Sequence, residues 1–275
     1  MKKAALVFCI CFIAMAATAQ HKLEKVWQTD SVMKVPESVL LDNENKVIYV
    51  ANIDGTDPWA KDGKGSIGKV ALDGKIVSVD WVAGLNSPKG MAIHKNHLYV
   101  ADVTDLVVID IKKGEISKRI AVPYAEGLND VTIDPKGVVY VSDSRLKRVF
   151  MVKGNDATPH LESLKGPNGV KWIKDNLYLL DAGTLYRVEY DRKLTKLAEG
   201  MEGGTDGVEP VNDKDFIVSC WAGVIYYVNA DGTKEILLDT RNDKINSADL
   251  SYDPVTRMVY VPTFWRNSVV AYLLK

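Results

Sequence analysis

Short apolar segments alternate with turn-forming residues along this chain, and one such pattern recurs six times. Each copy runs from a turn-like triplet into a small apolar run, a Gly, Asp or Asn turn, and a second apolar run that contains an aromatic residue. The copies begin at Pro36-Glu37-Ser38, Pro88-Lys89-Gly90, Leu128-Asn129-Asp130, Pro167-Asn168-Gly169, Thr205-Asp206-Gly207 and Ser247-Ala248-Asp249. Because a strand-only repeat of about forty residues is typical of propeller blades, the pattern predicts an all-β, six-bladed β-propeller.

Each blade is predicted to contain four antiparallel strands, which we call A to D. In the first copy these are residues 37–41, 46–52, 66–72 and 75–82, with a hairpin turn at Asp73-Gly74 between strands C and D. The sixth copy ends after strand C. The segment 23–29, which precedes the first copy, is therefore predicted to supply the missing strand and to close the ring.

The two faces of such a ring differ in their connections. The A–B and C–D turns lie on one face, and the B–C and D–A connections lie on the other, where every strand A begins. We expect the B–C connections to be the longer ones, above all residues 53–65, which carry Trp59. Function is predicted on that face because loops on a rigid scaffold carry most binding sites.

The first residue of each strand A is predicted to point into the mouth of the central channel. In blade order these ring residues are Glu37, Lys89, Asn129, Asn168, Asp206 and Ala248. Burying five polar side chains costs free energy unless they pair or bind something. Two carboxylates and two amides suit a hard divalent cation, Ca²⁺ first, with Mg²⁺, Mn²⁺ and Zn²⁺ as alternatives; Zn²⁺ is less favoured because the set lacks His and Cys.

Two other interpretations of the ring remain open. Asn and Asp side chains commonly cap their own turns, which alone would explain Asn168-Gly169 and Asp206-Gly207. Lys89 also brings a cation to the mouth. It could bind an anionic substrate, act as a base, or form an ion network with Glu37 and Asp206 that replaces the metal.

Several segments of the repeat resemble the SMP-30/gluconolactonase/LRE-like family. They are Pro36-Glu37, Leu128-Asn129-Asp130, Pro167-Asn168-Gly169 and Thr205-Asp206-Gly207, together with strands B of the type seen at Leu98–Asp102. The resemblance implies a metal-dependent hydrolase of sugar lactones or, in some branches, organophosphates. Carried over by position, it implies Glu37, Asn168 and Asp206 as metal ligands, Asn129 as a further ligand or substrate contact, and Asp130 beside it. Gly127 departs from the family, whose lactonases often carry arginine there.

If the ring binds a metal, the chemistry follows from its residues. Asp206 is the predicted catalytic group, which activates water or attacks directly. Lys89, Asn129 and Asp130 are predicted to contact a small-molecule substrate, with a sugar lactone as the candidate. Trp59, Trp221 and Trp265 would line the entrance or only pack at the rim. The alternative is a non-catalytic binding or sensor propeller for a small ligand or a partner protein.

Composition narrows the remaining classes. The N-terminus is predicted to be a signal peptide, residues 1–19, because Lys2 and Lys3 are followed by an apolar run over residues 4–16 and a small-residue cleavage site at 17–19. Cleavage would leave residues 20–275. We therefore expect an exported protein, periplasmic or extracellular, without stable membrane insertion. Loss of the two lysines changes the net charge of −1 to −3, which does not suit nucleic-acid binding. No glycine-rich phosphate loop precedes a helix, so we expect no nucleotide site.

The remaining cysteine and the histidines are predicted to be structural. Cys220, the one cysteine beyond the predicted leader, falls in an apolar strand and is expected to be a packed thiol without a disulfide. His21, His94, His97 and His160 are scattered through the repeat, and we do not expect them to converge on one site.

Overall fold

The computed structural model describes residues 21–275, so the predicted signal peptide lies outside the described residues. These residues form 24 strands and one short 3-10 helix at Phe264–Arg266. Among them, no helix is both long enough and apolar enough to cross a membrane.

The strands form six four-stranded antiparallel sheets, which confirms the six-bladed propeller. The strands of the first three blades are β2 (Pro36–Asp42), β3 (Val47–Asn52), β4 (Gly65–Ala71), β5 (Ile76–Leu85), β6 (Pro88–His94), β7 (His97–Asp102), β8 (Asp105–Asp110), β9 (Glu115–Ala121), β10 (Leu128–Ile133), β11 (Val139–Asp143), β12 (Arg148–Lys153) and β13 (Asp156–Leu161). The strands of the last three are β14 (Pro167–Ile173), β15 (Asn176–Asp181), β16 (Thr184–Val188), β17 (Leu194–Ala198), β18 (Thr205–Pro210), β19 (Phe216–Cys220), β20 (Val224–Val228), β21 (Lys234–Asp239), β22 (Ser251–Asp253), β23 (Met258–Pro262), β24 (Val269–Leu274) and β1 (Leu23–Gln28).

The two ends of the chain close the ring, as the sequence predicts. Strand β1 pairs antiparallel with β24, with Leu23 opposite Leu274 and Gln28 opposite Val270. The Trp27 indole packs against Tyr260, with ring centroids 5.9 Å apart, and its Nε1 donates to the Leu72 carbonyl of blade one at 3.0 Å. The first strand of the chain therefore completes blade six and also holds it against blade one.

The core consists of apolar layers between neighbouring blades, and strand B supplies much of it. In blade one, Ile48, Tyr49, Val50 and Ala51 are all fully buried, as expected of a strand that other blades cover on both faces. Cys220 is also fully buried, and burial raises the pKa of its thiol to about 12. The prediction of a packed, unreactive thiol is consistent with this environment.

Most A strands begin with a bulge that determines what reaches the channel. The register with strand B shifts between Pro36 and Ser38 in blade one, between Leu128 and Val131 in blade three, and between Thr205 and Val208 in blade five. A bulge sets two residues against one on the partner strand and re-aims a side chain. Consecutive residues of the repeat can therefore both lie at the axis.

The expectation of long B–C connections is correct only for blades one and six. Residues 53–64 join β3 to β4, and residues 263–268, which include the 3-10 helix, join β23 to β24. Only two residues separate β7 from β8 and β15 from β16, where tight hairpins suffice. The face that carries the B–C connections is therefore uneven, with its two longest connections in the neighbouring blades six and one.

Candidate functional site

Five of the six ring residues lie at the start of the A strands, Ala248 lies ahead of β22, and most are withdrawn from solvent. Glu37, Lys89 and Asp206 are 5%, 2% and 3% exposed, Asn129 is buried and Asn168 is half-buried. Ala248 is fully buried and adds no polar atom. Charged side chains are rarely this buried without a partner, so their partners decide what the ring can do.

Two pairs form within the ring. Lys89 Nζ lies 3.8 Å from Glu37 Oε1, so blades one and two are joined by a buried ion pair. Asn168 Nδ2 donates to Asp206 Oδ1 at 3.0 Å, which joins blades four and five. Asp206 is thus hydrogen-bonded to an amide rather than to Lys89. Of the predicted three-residue ion network, only Glu37 and Lys89 form a direct pair, and the Lys89 charge acts on Asp206 at longer range.

Asn129 has a different environment from the other amide of the ring. Its Nδ2 donates to Ser144 Oγ at 3.0 Å, and Ser144 Oγ donates in turn to the Pro167 carbonyl at 2.7 Å. These bonds connect blade three to blade four through the B–C turn. They also hold the amide in one orientation, and its roles as ligand or substrate contact stay predictions.

Glycines after the ring residues allow neighbouring A strands to approach closely. A Cβ at Gly169 would overlap the Asp206 carbonyl oxygen of the next blade, and a Cβ at Gly90 would overlap Asp130. At Gly207 a Cβ would lie 2.5 Å from Asp249 Oδ1. The triplets of the repeat therefore combine a ring side chain with the small residue that the close approach requires.

A second layer, one residue further along each strand, carries two more carboxylates. Asp130 Oδ1 accepts from Val131 N and Oδ2 accepts from Val170 N, both at 2.7 Å. Asp249 Oδ2 accepts from Ser38 Oγ at 2.6 Å. Asp130 therefore braces blades three and four with both of its oxygens, and substrate contact by this residue stays a prediction.

Sequence reasoning missed Asp249 and the layer below it. Asp249 occupies the same position after Ala248 as Asp130 does after Asn129, so the repeat itself held the signal. Deeper in the channel, Lys171 Nζ pairs with Glu209 Oε1 at 2.7 Å. Burial lowers the pKa of Lys171, but Glu209, Asp130 and Asp249 more than offset this and raise it, so the channel keeps a fixed cation.

The carboxyl groups of the upper layers are hard to ionise together. Burial raises the pKa of Asp206 well above its ordinary value, and the charges of Glu37 and Asp130 add to the effect. Burial likewise raises the pKa of Asp130 to about 7, against the two amide donors. Burial also raises the pKa of Glu37 although Lys89 opposes it. An added cation would relieve this mutual repulsion.

Two buried oxygens of the ring have no hydrogen-bond partner within the described chain. They are Glu37 Oε2 and Asn168 Oδ1, and both belong to the predicted metal ligands. Unpartnered buried acceptors are unusual and call for an ion or water. Among residues 21–275, no three His, Cys, Asp or Glu side chains cluster as metal ligands do, so an ion would also need amide oxygen. The donor set therefore fits a hard, oxygen-preferring cation.

Aromatic residues surround the entrance. Lys89 Nζ lies 4.5 Å from the ring centroid of Trp59, which the long connection of blade one carries. A Cβ at Gly127 would lie 3.0 Å from Trp59 Cζ3 and 2.6 Å from Arg145 Cγ. Where the family often has arginine, this chain thus leaves space for Trp59 and for an arginine from the next B–C turn.

Trp221 and Trp265, the other two tryptophans predicted at the entrance, pack against Phe264 and are also partly exposed to solvent. Trp221 and Trp265 both meet Phe264 edge-on, with centroids 5.6 and 4.7 Å apart. They are 42% and 44% exposed, so part of each side chain is accessible to solvent. Both interpretations, rim packing and substrate contact, are compatible with this geometry.

The histidines do not meet at the mouth. His94 and His97 face each other across the A–B turn of blade two, on the opposite face. The His21 ring stacks on Tyr227 and its Nδ1 lies 3.2 Å from Glu235 Oε1.

The fold and this ring define a six-bladed propeller with a buried, oxygen-rich cup at one mouth. The sequence model of the SMP-30/gluconolactonase/LRE-like region matches residues 35–255. The chain therefore belongs to the SMP-30/gluconolactonase/LRE-like family, which confirms the resemblance. Comparison with curated proteins found no match.

Solved structures with similar folds include two lyases. A catalytically inactive virginiamycin B lyase from Staphylococcus aureus with quinupristin has a TM-score of 0.66 at 11% identity, covering 93% of this chain and 100% of that chain. A streptogramin B lyase has a TM-score of 0.65 at 10% identity, covering 93% and 98%. A chain of a nidogen/laminin complex has 0.62 at 17%, covering 74% and 80%. At these identities the likeness extends to the fold alone.

Proposed function

We propose that this protein is an exported hydrolase that depends on a divalent metal and cleaves a lactone or a related ester at the channel mouth. The single observation that carries the proposal is the pair of unpartnered buried oxygens, Glu37 Oε2 and Asn168 Oδ1, beside the buried Asp206 carboxyl. Membership of a family whose name includes gluconolactonase supports the reaction class.

Glu37, Asn168 and Asp206 would hold the ion, Ca²⁺ first. When bound, it would polarise the substrate carbonyl and favour ionised carboxylates around it. Mg²⁺, Mn²⁺ and Zn²⁺ remain candidates, since carboxylate and amide oxygens accept all four.

Asp206 is the proposed general base. In its ionised form it would accept a proton from water while the water oxygen attacks the carbonyl carbon. The C–O bond of the ester then breaks, and the same proton passes to the departing alkoxide, so a lactone yields a hydroxy acid. Its hydrogen bond from Asn168 Nδ2 would hold the carboxylate in position.

Lys89 and Asn129 are the proposed substrate contacts, because both lie in the same ring. Asn129 is oriented by Ser144, and Lys89 presents the one cationic side chain of the ring. Arg145 and Trp59, which lie close around Gly127, would meet the part of the substrate that projects from the mouth. This arrangement favours a substrate with an anionic or strongly polar group near the carbonyl.

A binding propeller without catalysis is the second candidate. The observation that favours it is the Glu37–Lys89 ion pair, which partly neutralises a predicted metal ligand without any ion. In that case the mouth would bind an anionic small molecule through Lys89, and no hydrolysis would occur.

Thermal melting with and without Ca²⁺ tests the metal part of the proposal. After treatment with EDTA, we expect added Ca²⁺ to raise Tm progressively, since a ligand at 100 times its Kd stabilises by about 2.7 kcal/mol. Glu37→Gln, which keeps the side-chain volume and removes the charge, should lose most of the shift. An equal shift in both proteins would place the bound ion elsewhere. No shift in either would favour the ion-pair interpretation.

The pH dependence of hydrolysis tests the assignment of Asp206. Because burial and neighbouring acids hold its pKa well above the ordinary value, Asp206 is protonated at low pH and cannot accept a proton. We therefore expect kcat/KM to rise as pH increases through that elevated pKa. Saturating Ca²⁺ should move the rise to lower pH, because a cation favours the carboxylate. A background-corrected pH profile that is flat at both Ca²⁺ concentrations would contradict this role.

A further inference from the structure

A cavity of about 760 Å³ lies between blades three and four, among the turns on the face opposite the mouth. The A–B turn of blade three, β13, the end of β14 and the C–D turn of blade four line it. Its volume is within the range of small-molecule sites. It shares no lining residue with the ring at the mouth.

The cavity exists because a groove that a tryptophan fills at two other blade junctions is left open here. Trp27 and Trp81 lie on D strands, and each packs against the strand-B tyrosine of its own blade: Trp27 lies 5.9 Å from Tyr260 and Trp81 lies 5.3 Å from Tyr49 between ring centroids. Each indole covers a glycine in the C–D turn of the following blade: a Cβ at Gly74 or Gly114 would lie 2.8 Å from the nearest indole atom of Trp27 or Trp81.

His160 occupies the matching position in blade three, because it lies on strand D and its ring packs against the strand-B tyrosine of that blade, Tyr140. An imidazole is smaller than an indole and does not reach across the groove. The following C–D turn also differs, because Arg192 stands at its left-handed position, with φ of 67°, where the other two turns have glycine. Blade four therefore offers an open aromatic groove with a cationic edge.

Aromatic rings form the floor of this groove. Tyr140 and Trp172 stack with centroids 5.3 Å apart and planes 14° from parallel. His160 meets Tyr140 edge-on at 5.1 Å, and its buried Nδ1 has no hydrogen-bond partner in the described part of the chain. Flat aromatic surface with one unpartnered polar atom suits a planar ring that can hydrogen-bond at its edge.

The charges at the rim favour an anion. Lys136, Lys153 and Arg192 line the cavity and are exposed, and none of them forms an ion pair within residues 21–275.

The acids of the cavity are mostly engaged. Asp134 accepts from the backbone amides of its own turn, and Glu189 pairs with Arg187 at 2.8 Å. Asp175 is the remaining acid of the lining. Unpaired cations therefore outnumber unpaired acids.

We propose that this cavity is a second binding site, for a small planar aromatic or heteroaromatic ligand that carries a carboxylate or phosphate. The ring of the ligand lies against Trp172 and beside His160, and its anionic group lies among Lys136, Lys153 and Arg192. The site is independent of the chemistry at the mouth.

Calorimetric titration with 2-naphthoate tests this proposal, with the uncharged 2-naphthalenemethanol as the matched probe. We expect one molecule of 2-naphthoate per chain and binding of the uncharged probe weaker by about tenfold, which corresponds to about 1.4 kcal/mol. His160→Trp, which refills the groove as Trp27 and Trp81 do, should weaken 2-naphthoate binding by about tenfold or more. Arg192→Gly should weaken it by about fivefold and suits the left-handed backbone.

Two controls distinguish this site from others. Lys193→Ala changes an adjacent exposed cation that does not line the cavity, and Asp206→Asn changes the mouth; both should bind 2-naphthoate as the wild type does. Equal binding by His160→Trp, or loss of binding in Asp206→Asn alone, would overturn the location. Equal affinity for the two probes, or no binding of 2-naphthoate at millimolar concentration, would overturn the ligand class. If His160→Trp fails to fold, Arg192→Gly and Lys136→Ala decide.

Discussion

Replacing Asp206 with alanine is expected to reduce lactone hydrolysis by roughly 10²–10⁴-fold, the usual contribution of a positioned general base. The carboxyl is 3% exposed and hydrogen-bonded to Asn168, so the fold fixes its position at the mouth. Asp206→Asn should lose nearly as much, because it keeps the shape but cannot accept the proton. The measurement is kcat/KM on a panel of lactones and esters with Ca²⁺ present.

The matched control is Asp213→Ala. Asp213 pairs with Lys174, is exposed, and lies near the turns of the opposite face, so its loss should leave kcat/KM within error. Thermal melts of both variants separate loss of activity from loss of folding. Rates for Asp206→Ala equal to those of the wild type would remove the catalytic assignment. If neither the wild type nor the variants hydrolyse any lactone or ester of the panel, the result would favour the binding propeller.

Replacing Lys89 with methionine is expected to lower the free energy of unfolding by about 3–5 kcal/mol when no divalent ion is present. Methionine keeps most of the length and volume, so the loss reports charge rather than packing. Glu37 would be left buried without its partner, and the contact between the ammonium and Trp59 would also be lost. Denaturant unfolding in EDTA measures the change.

Calcium should reverse much of this loss if the ring is a metal site. With Lys89 gone, Glu37 and Asp206 would face the cup without a neighbouring cation, so saturating Ca²⁺ should stabilise Lys89→Met more than it stabilises the wild type. The double variant Glu37→Gln/Lys89→Met provides the comparison, because removing both charges should recover stability in EDTA. A change below about 0.5 kcal/mol for Lys89→Met in EDTA would mean that the pair contributes nothing to stability.

The experiments on Asp206 and Lys89 distinguish two interpretations of the ring: a metal site, and an ion pair that replaces the metal. The Glu37–Lys89 pair places a cation 3.8 Å from Oε1 of Glu37, while Oε2 of the same carboxyl and Oδ1 of Asn168 have no hydrogen-bond partner in the described chain. If Lys89 only replaces a metal, those two acceptors are left to water. If Lys89 lies beside a metal site, the ion would engage both acceptors, and the lysine would partly balance the acids before the ion binds.

The architecture was predictable from sequence because its signals are local and repeated. Strand length, the aromatic in strand B and turns such as Asp73-Gly74 depend on neighbouring residues, and six copies reinforce one another. Closure by the N-terminal strand followed from counting, since blade six lacked strand D. The lengths of the B–C connections were predicted less well, because a two-residue hairpin and a longer loop differ little in composition.

The candidate site was predictable in part, for a geometric reason. A propeller brings one phase of the repeat to the axis, so the identities of Glu37, Asn168 and Asp206 could be read from that phase. The side-chain partners could not be read, because they depend on contacts between blades. Asn168 bonding Asp206, Ser144 orienting Asn129 and the Lys171–Glu209 pair all join residues far apart in the chain.

The repeat by itself determined that this chain forms a closed six-bladed ring and which residue types line its axis, because strand period and turn chemistry are properties of adjacent residues. Only the tertiary structure decided which carboxyl oxygens are paired and which are free, and that the groove beside His160 is open while those beside Trp27 and Trp81 are filled. Burial and pairing arise where separate blades meet, and no single repeat contains that contact.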